Sequence, residues 1–152
     1  MTTVPAPPFP PAPPPHSGET YRLTLPNTAS APKVARDFVG SLLVISRHGP
    51  LADDARLCVS EVVTNAHRHT RSPQIRVEVT VHRERITVAV RDDRPWALPV
   101  AAAPGPDTER EGGRGVSLVE SLATAWGTTV QGGRSPGGKA VWFTLAAPSG
   151  RG

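Results

Sequence analysis

Two alternating runs close together in the chain constrain its fold more than any other feature. Residues 74–82 place Ile75, Val77, Val79 and Val81 at every second position, and residues 86–90 do the same with Ile86, Val88 and Val90. A period of two puts each set on one face of a strand. Arg83-Glu84-Arg85 separates the runs and is short enough for a hairpin. A sheet that is apolar on one face must bury it against a second layer.

Helical patterns upstream supply that layer. Residues 20–25 alternate as a half-buried strand, closed by Pro26-Asn27. Asn27 or Thr28 is expected to cap a helix over about 29–48. Its apolar positions Val34, Phe38, Leu42 and Ile45 recur at spacings of four and three, and Gly49-Pro50 is expected to end it. A second helix is expected over about 51–70, with Leu51, Ala55, Cys58, Val62 and Ala66 on one face. From Asp93 to Gly113 periodicity vanishes. A structureless stretch of about 20 residues inside a compact domain tends to be functional, such as a lid. A third helix over about 115–125 and two strands, 128–131 and 140–145, around a glycine turn at 132–138 complete the pattern. The order β-α-α-β-β-loop-α-β-β predicts an α+β fold. It is a two-layer sandwich with a mixed, mostly antiparallel sheet and three helices on one face.

The ends of the chain read differently. Eight of the 18 prolines fall in the first 15 residues, so 1–18 are expected to be a disordered, partly polyproline-II tail. The domain is expected to span 19–147, with 148–152 a second disordered tail. A body of that size buries roughly two-thirds of its unfolded surface.

Composition excludes several classes. No apolar run reaches the roughly 20 residues of a membrane span, and the proline-rich start lacks the pattern of a secretory signal. Cys58, the one cysteine, has no intrachain partner, and no Cys/His spacing reads as a zinc site. A reduced, cytoplasmic setting is the expectation. The net charge is +4, yet 15 of the 17 cations are arginines scattered along the chain. A nucleic-acid face usually clusters its cations, and the nearest approach here, His82-Arg83-Glu84-Arg85, contains an acid.

Four segments could carry chemistry. Glu61 and Asn65, four apart, stack on the border of the second helix's apolar stripe. Asp92 and Asp93 end an apolar strand where the long loop opens, a common place for ligand groups. Glu111-Gly112-Gly113-Arg114-Gly115-Val116 precedes a helix, whose N-terminal N–H groups favour phosphate. Gly137-Gly138-Lys139-Ala140-Val141-Trp142-Phe143 is a glycine turn into an apolar strand. Taken singly, these are an ordinary polar helix edge, a turn, a helix entry and a hairpin.

Their order and spacing are more specific. Helical Glu-x-x-x-Asn-Ala-x-x-His at 61–69, Val-x-Val-x-Asp ending at Asp92, Gly-Gly-Arg-Gly-Val at 112–116 and Gly-Lys-x-Val-Trp-Phe at 138–143 resemble the GHKL (Bergerat-fold) ATP-binding superfamily. The similarity runs from about Thr20 to Leu145. It is closest to the single-domain branch related to anti-sigma-factor serine/threonine kinases (RsbW-like).

The resemblance implies ATP and Mg²⁺ as cofactors and a role for each matching residue. Asn65 would ligate Mg²⁺ bridging the phosphates, and Glu61 would act as general base. Asp92 would read the adenine amine. Backbone N–H groups at Gly113, Gly115 and Val116 would hold the phosphates, with Arg114 assisting. His69 matches a frequent family position, and His67 and Cys58 are read as packing residues. The resemblance also implies an anti-anti-sigma (STAS-type) protein or a sigma factor as partner. It allows a homodimer, and it implies no direct nucleic-acid or membrane contact. Two positions depart from the family pattern: Arg94-Pro95 replaces a glycine after the aspartate, and Lys139-Ala140 replaces a threonine in the last strand. Two functions stay open, a protein serine/threonine kinase and a non-catalytic ATP-dependent interaction switch. A nucleic-acid-binding protein is a remote third.

Overall fold

A computed structural model describes residues 18–93, 115–131 and 138–147. The proline-rich tail, the expected lid with Arg94-Pro95, Gly113 and Arg114, most of the second glycine turn and the end of the chain lie outside the described residues.

The hairpin read from the alternating runs is present. Strands β2 (Gln74–Val81) and β3 (Arg85–Asp92) pair antiparallel, with Val77 opposite Val90 and Val79 opposite Val88. Strand β1 (Glu19–Pro26) pairs with β2, and β5 (Gly138–Ala146) pairs with β3 and with β4 (Ala125–Gln131). The sheet order is β1-β2-β3-β5-β4, and all four pairings are antiparallel.

Alternation gives the two faces of this sheet opposite characters. On the inner face, Ile75, Val77, Val79, Ile86, Val88, Phe143 and Leu145 are all buried. The outer face carries polar rows. Thr20 and Thr80 meet at 3.0 Å, as do Thr87 and Thr144. Glu78 pairs with both Arg22 and Arg91 at 3.0 Å. Burial pushes the Glu78 carboxyl up, but hydrogen bonds and charge from Arg91 and Arg22 outweigh it and hold the group below its ordinary value.

Helices α1 (Ala31–Ile45), α2 (Ala52–His69) and α3 (Gly115–Leu122) cover the inner face, with a short 3₁₀ turn (Gly49–Leu51) between the first two. Helix α2 buries the expected stripe and adds Val59 and Val63. Its first turn carries Asp53 and Asp54 and its last turn His67, Arg68 and His69, which matches the helix dipole at both ends.

Helix α1 differs from the sequence expectation in three ways. Its buried stripe is Ala31, Ala35, Val39 and Leu43, while Val34 and Ile45 are exposed and Phe38 and Leu42 sit at the margin. The buried stripe is offset by about one residue from the expected one, with Gly40 set against the Arg56 side chain of α2. It ends at Ile45, not at Gly49-Pro50. Arg47 takes a left-handed conformation, φ 70°, and His48 N–H bonds the Leu43 carbonyl at 2.7 Å, closing a Schellman end. Ser30 occupies the N-cap without a side-chain bond. Asn27 is used elsewhere. Its Nδ2 donates to the Ser72 carbonyl at 2.6 Å, and its Oδ1 lies 2.6 Å from His67 Nδ1, so it ties the entry of α1 to the end of α2.

Candidate functional site

The C-terminal end of α2 and the end of β3 lie at the same edge of the domain. The connection is local and polar. Thr70 Oγ1 donates to the Ala66 carbonyl at 2.7 Å as the helix stops, and Arg71 turns the chain with φ 55°. Ser72 then reaches Asp93, donating from its hydroxyl to Oδ1 and accepting the Asp93 N–H at 2.9 Å. Asn65, about one turn before the end of α2, and Asp92, beside Asp93, therefore belong to one rim.

Glu61 and Asn65 are both half-buried on α2, at the border that their spacing implied. Glu61 Oε1 is shut off from solvent and has no hydrogen-bond partner among the described residues. A buried acceptor left this way costs about 1–3 kcal/mol, a cost that a donor from outside the described residues would offset. Cys58 lies one turn earlier and is fully buried. Burial first, then the charges of Asp54 and Glu61, push its thiol up to about 12, so it remains a protonated packing group as expected. His67 is held by Asn27, whereas His69 is exposed and does not pack.

Asp92 is in a different condition. Its place in the register is opposite Lys139, on the row that continues Ile86, Val88 and Val90 on β3 and Leu145, Phe143 and Val141 on β5. Both side chains therefore point inward. Lys139 Nζ lies 2.7 Å from Asp92 Oδ2, with side-chain exposures of 2% and 1%. Gly138 is needed for this approach, because a Cβ there would lie 2.4 Å from the Asp92 carbonyl oxygen. Sequence reading marked Lys139 as a departure from pattern but not as the partner of Asp92. The available signal was a lone lysine at an inward position of an otherwise apolar strand.

Gly115 and Val116 open α3, while Gly113 and Arg114 lie outside the described residues. Among the described residues no cluster of three or more His, Cys, Asp or Glu could hold a metal ion. No helix there is long and apolar enough to cross a membrane.

With this geometry in place, the class is defined. The family model for the histidine kinase-like ATPase domain matches residues 25–145, and the chain belongs to that family. A crystal structure of the RsbU and RsbW domains of Rv1364c from Mycobacterium tuberculosis has the same fold, with a TM-score of 0.58 at 19% identity. The match covers 84% of this chain and 32% of that one, so the chain spans about a third of the solved protein's length. A comparison with curated proteins finds no match.

Family membership implies ATP binding, usually with Mg²⁺, and the two ends of the site fit that ligand unequally. At the α2 end, a carboxylate oxygen unbonded among the described residues, with Asn65 one turn away, would suit a hydrated hard cation. Mg²⁺ characteristically takes few protein ligands and completes its shell with water and phosphate. At the β3 end, the aspartate that the resemblance assigns to the base is already paired with Lys139.

Proposed function

We propose that this domain binds Mg²⁺–ATP and regulates a partner protein as a serine/threonine kinase. The observation that carries this reading is the buried Glu61 Oε1, without a hydrogen-bond partner among the described residues and one helical turn from Asn65, within a domain of the histidine kinase-like ATPase family. Asn65 would offer its amide oxygen to Mg²⁺. The start of α3, at Gly115 and Val116, would receive the phosphates through N–H groups and the positive end of the helix dipole, with Gly113 and Arg114 assisting as the resemblance implies. When bound, ATP supplies the transferable phosphoryl group.

Glu61 would accept the proton of the attacking hydroxyl. A half-buried carboxylate with an unsatisfied oxygen is suited to this, because no internal bond must be broken first. Phosphoryl transfer otherwise needs positioning and charge relief more than covalent help.

The partner we infer is an anti-anti-sigma (STAS-type) protein, with a sigma factor as the alternate partner. Support comes from the fold shared with an RsbW domain and from the motif resemblance. Adding a phosphate of up to two negative charges to a packed interface would release the modified partner. The setting we infer is cytoplasmic.

The test is incubation with a STAS-type partner and labelled ATP. Transfer of label to a Ser or Thr, abolished by Glu61→Gln, is the expected result. Nucleotide-dependent partner binding with no transfer in the wild type would replace the kinase with a non-catalytic switch.

A further inference from the structure

We propose that Lys139 takes Asp92 out of base recognition, so that this site holds a nucleotide by its phosphates and metal and discriminates little between adenine and guanine. The inference rests on the nucleotide-binding reading above and adds to it a specificity that the family pattern does not imply.

Asp92 and Lys139 are direct cross-strand partners, the last inward-facing pair of β3 and β5. A purine amine seeking the Asp92 carboxylate would have to enter there. It would meet an ammonium group already 2.7 Å from Oδ2 and a pair whose side chains are only 1% and 2% exposed. Hydrogen bonds between ionised groups are roughly twice as strong as neutral ones. A neutral exocyclic amine therefore loses by displacing the ammonium. Displacement would also separate a buried cation from the carboxylate beside it, an unfavourable change.

The Lys139 stem adds a steric argument. It is among the largest fully buried side chains in the domain, so it fills space that a threonine would leave open. The close approach of Gly138 to the Asp92 carbonyl fixes the start of β5 and keeps Lys139 in this register. A 6-amino and a 6-oxo purine then face the same occupied carboxylate, and the amine gains no selective partner.

The experiment is displacement of a fluorescent ATP analogue from the full chain by ATP and by GTP in the presence of Mg²⁺. For the wild type, the two nucleotides are expected to compete within roughly threefold of one another, less than one ordinary neutral hydrogen bond provides. In Lys139→Thr, freeing Asp92 should make ATP the better competitor by roughly tenfold or more, as a polar group built to read the base begins to do so. Lys139→Ser, which likewise removes the ammonium group and most of the stem, is the second variant should the threonine variant fold poorly. A wild-type preference for ATP beyond roughly tenfold, or no change of the ratio in a folded variant, overturns the inference while leaving nucleotide binding intact. Binding of neither nucleotide to any of these proteins removes the nucleotide reading and this inference together.

Discussion

Glu61 and Asp92 are both carboxylates at the margin between the helix layer and the sheet, and they meet different surroundings. Glu61 leaves one oxygen buried and unbonded among the described residues, whereas Asp92 holds a lysine at 2.7 Å in near-complete burial. Secondary structure explains the difference. A helix border residue has no fixed neighbour across the layer gap, so Glu61 depends on whatever enters the cleft. A strand residue has an obligatory cross-strand neighbour about 5 Å away, and for Asp92 that neighbour is a cation. Among the described residues, the unbonded acceptor thus sits at the helix end, and the carboxylate at the strand end holds an ion pair.

The largest test of this contrast is Lys139→Met. Removing one member of a buried pair strands the other charge, so a loss of about 3–5 kcal/mol is expected in urea denaturation. The double variant Asp92→Asn/Lys139→Met should recover much of it, because neither charge remains. A loss under about 1 kcal/mol for the single variant would show the pair to be incidental.

Gly138→Ala acts on the same end through the backbone. The new Cβ would collide with the Asp92 carbonyl oxygen, and a cost of about 1–3 kcal/mol follows from forcing the strands apart. An unchanged denaturation midpoint would mean the strands part freely there.

The helix end should respond in the opposite way. Glu61→Gln is nearly isosteric, and Oε1 has no partner among the described residues to lose, so stability should change by no more than about 1 kcal/mol, while phosphate transfer is lost. A destabilisation as large as that of Lys139→Met would erase the contrast. The smallest effect concerns Cys58. Its thiol, pushed up to about 12 mainly by burial, should resist alkylation at neutral pH. In Glu61→Gln it should fall only slightly, since the Glu61 charge ranks behind burial and Asp54 among the causes. A large fall would mean that Glu61 governs the pocket around α2.

The legibility of the molecule followed the same division. The β2–β3 hairpin was readable because period-two alternation and a three-residue link are local signals, and Val77, Val79, Ile86 and Val88 all face inward as expected. Helix α2 was readable for the same reason, and with it the border position of Glu61 and Asn65. Helix α1 is legible only in part: Phe38 and Leu42 pack at the core margin as their spacing implies, whereas the bulk of Val34 and Ile45 masks the burial of Ala31 and Ala35 one residue around the helix. The Asp92–Lys139 pair was not readable as a pair. Its members are 47 residues apart and meet only when β5 inserts between β3 and β4, a register that no local pattern encodes. Asn27 was expected as a cap and instead bridges to Ser72 and His67, again a contact between distant segments.

The central claim is that the α2 rim is a Mg²⁺-dependent nucleotide site, and ligand-induced stabilisation tests it most directly. A ligand that binds only the folded state at about 100 times its Kd adds about 2.7 kcal/mol. The melting temperature of the wild-type chain should therefore rise saturably with ATP when Mg²⁺ is present. The rise should disappear on chelation of the metal and in Asn65→Ala. No rise in the wild type at millimolar ATP with Mg²⁺, or an equal rise in Asn65→Ala, would contradict it.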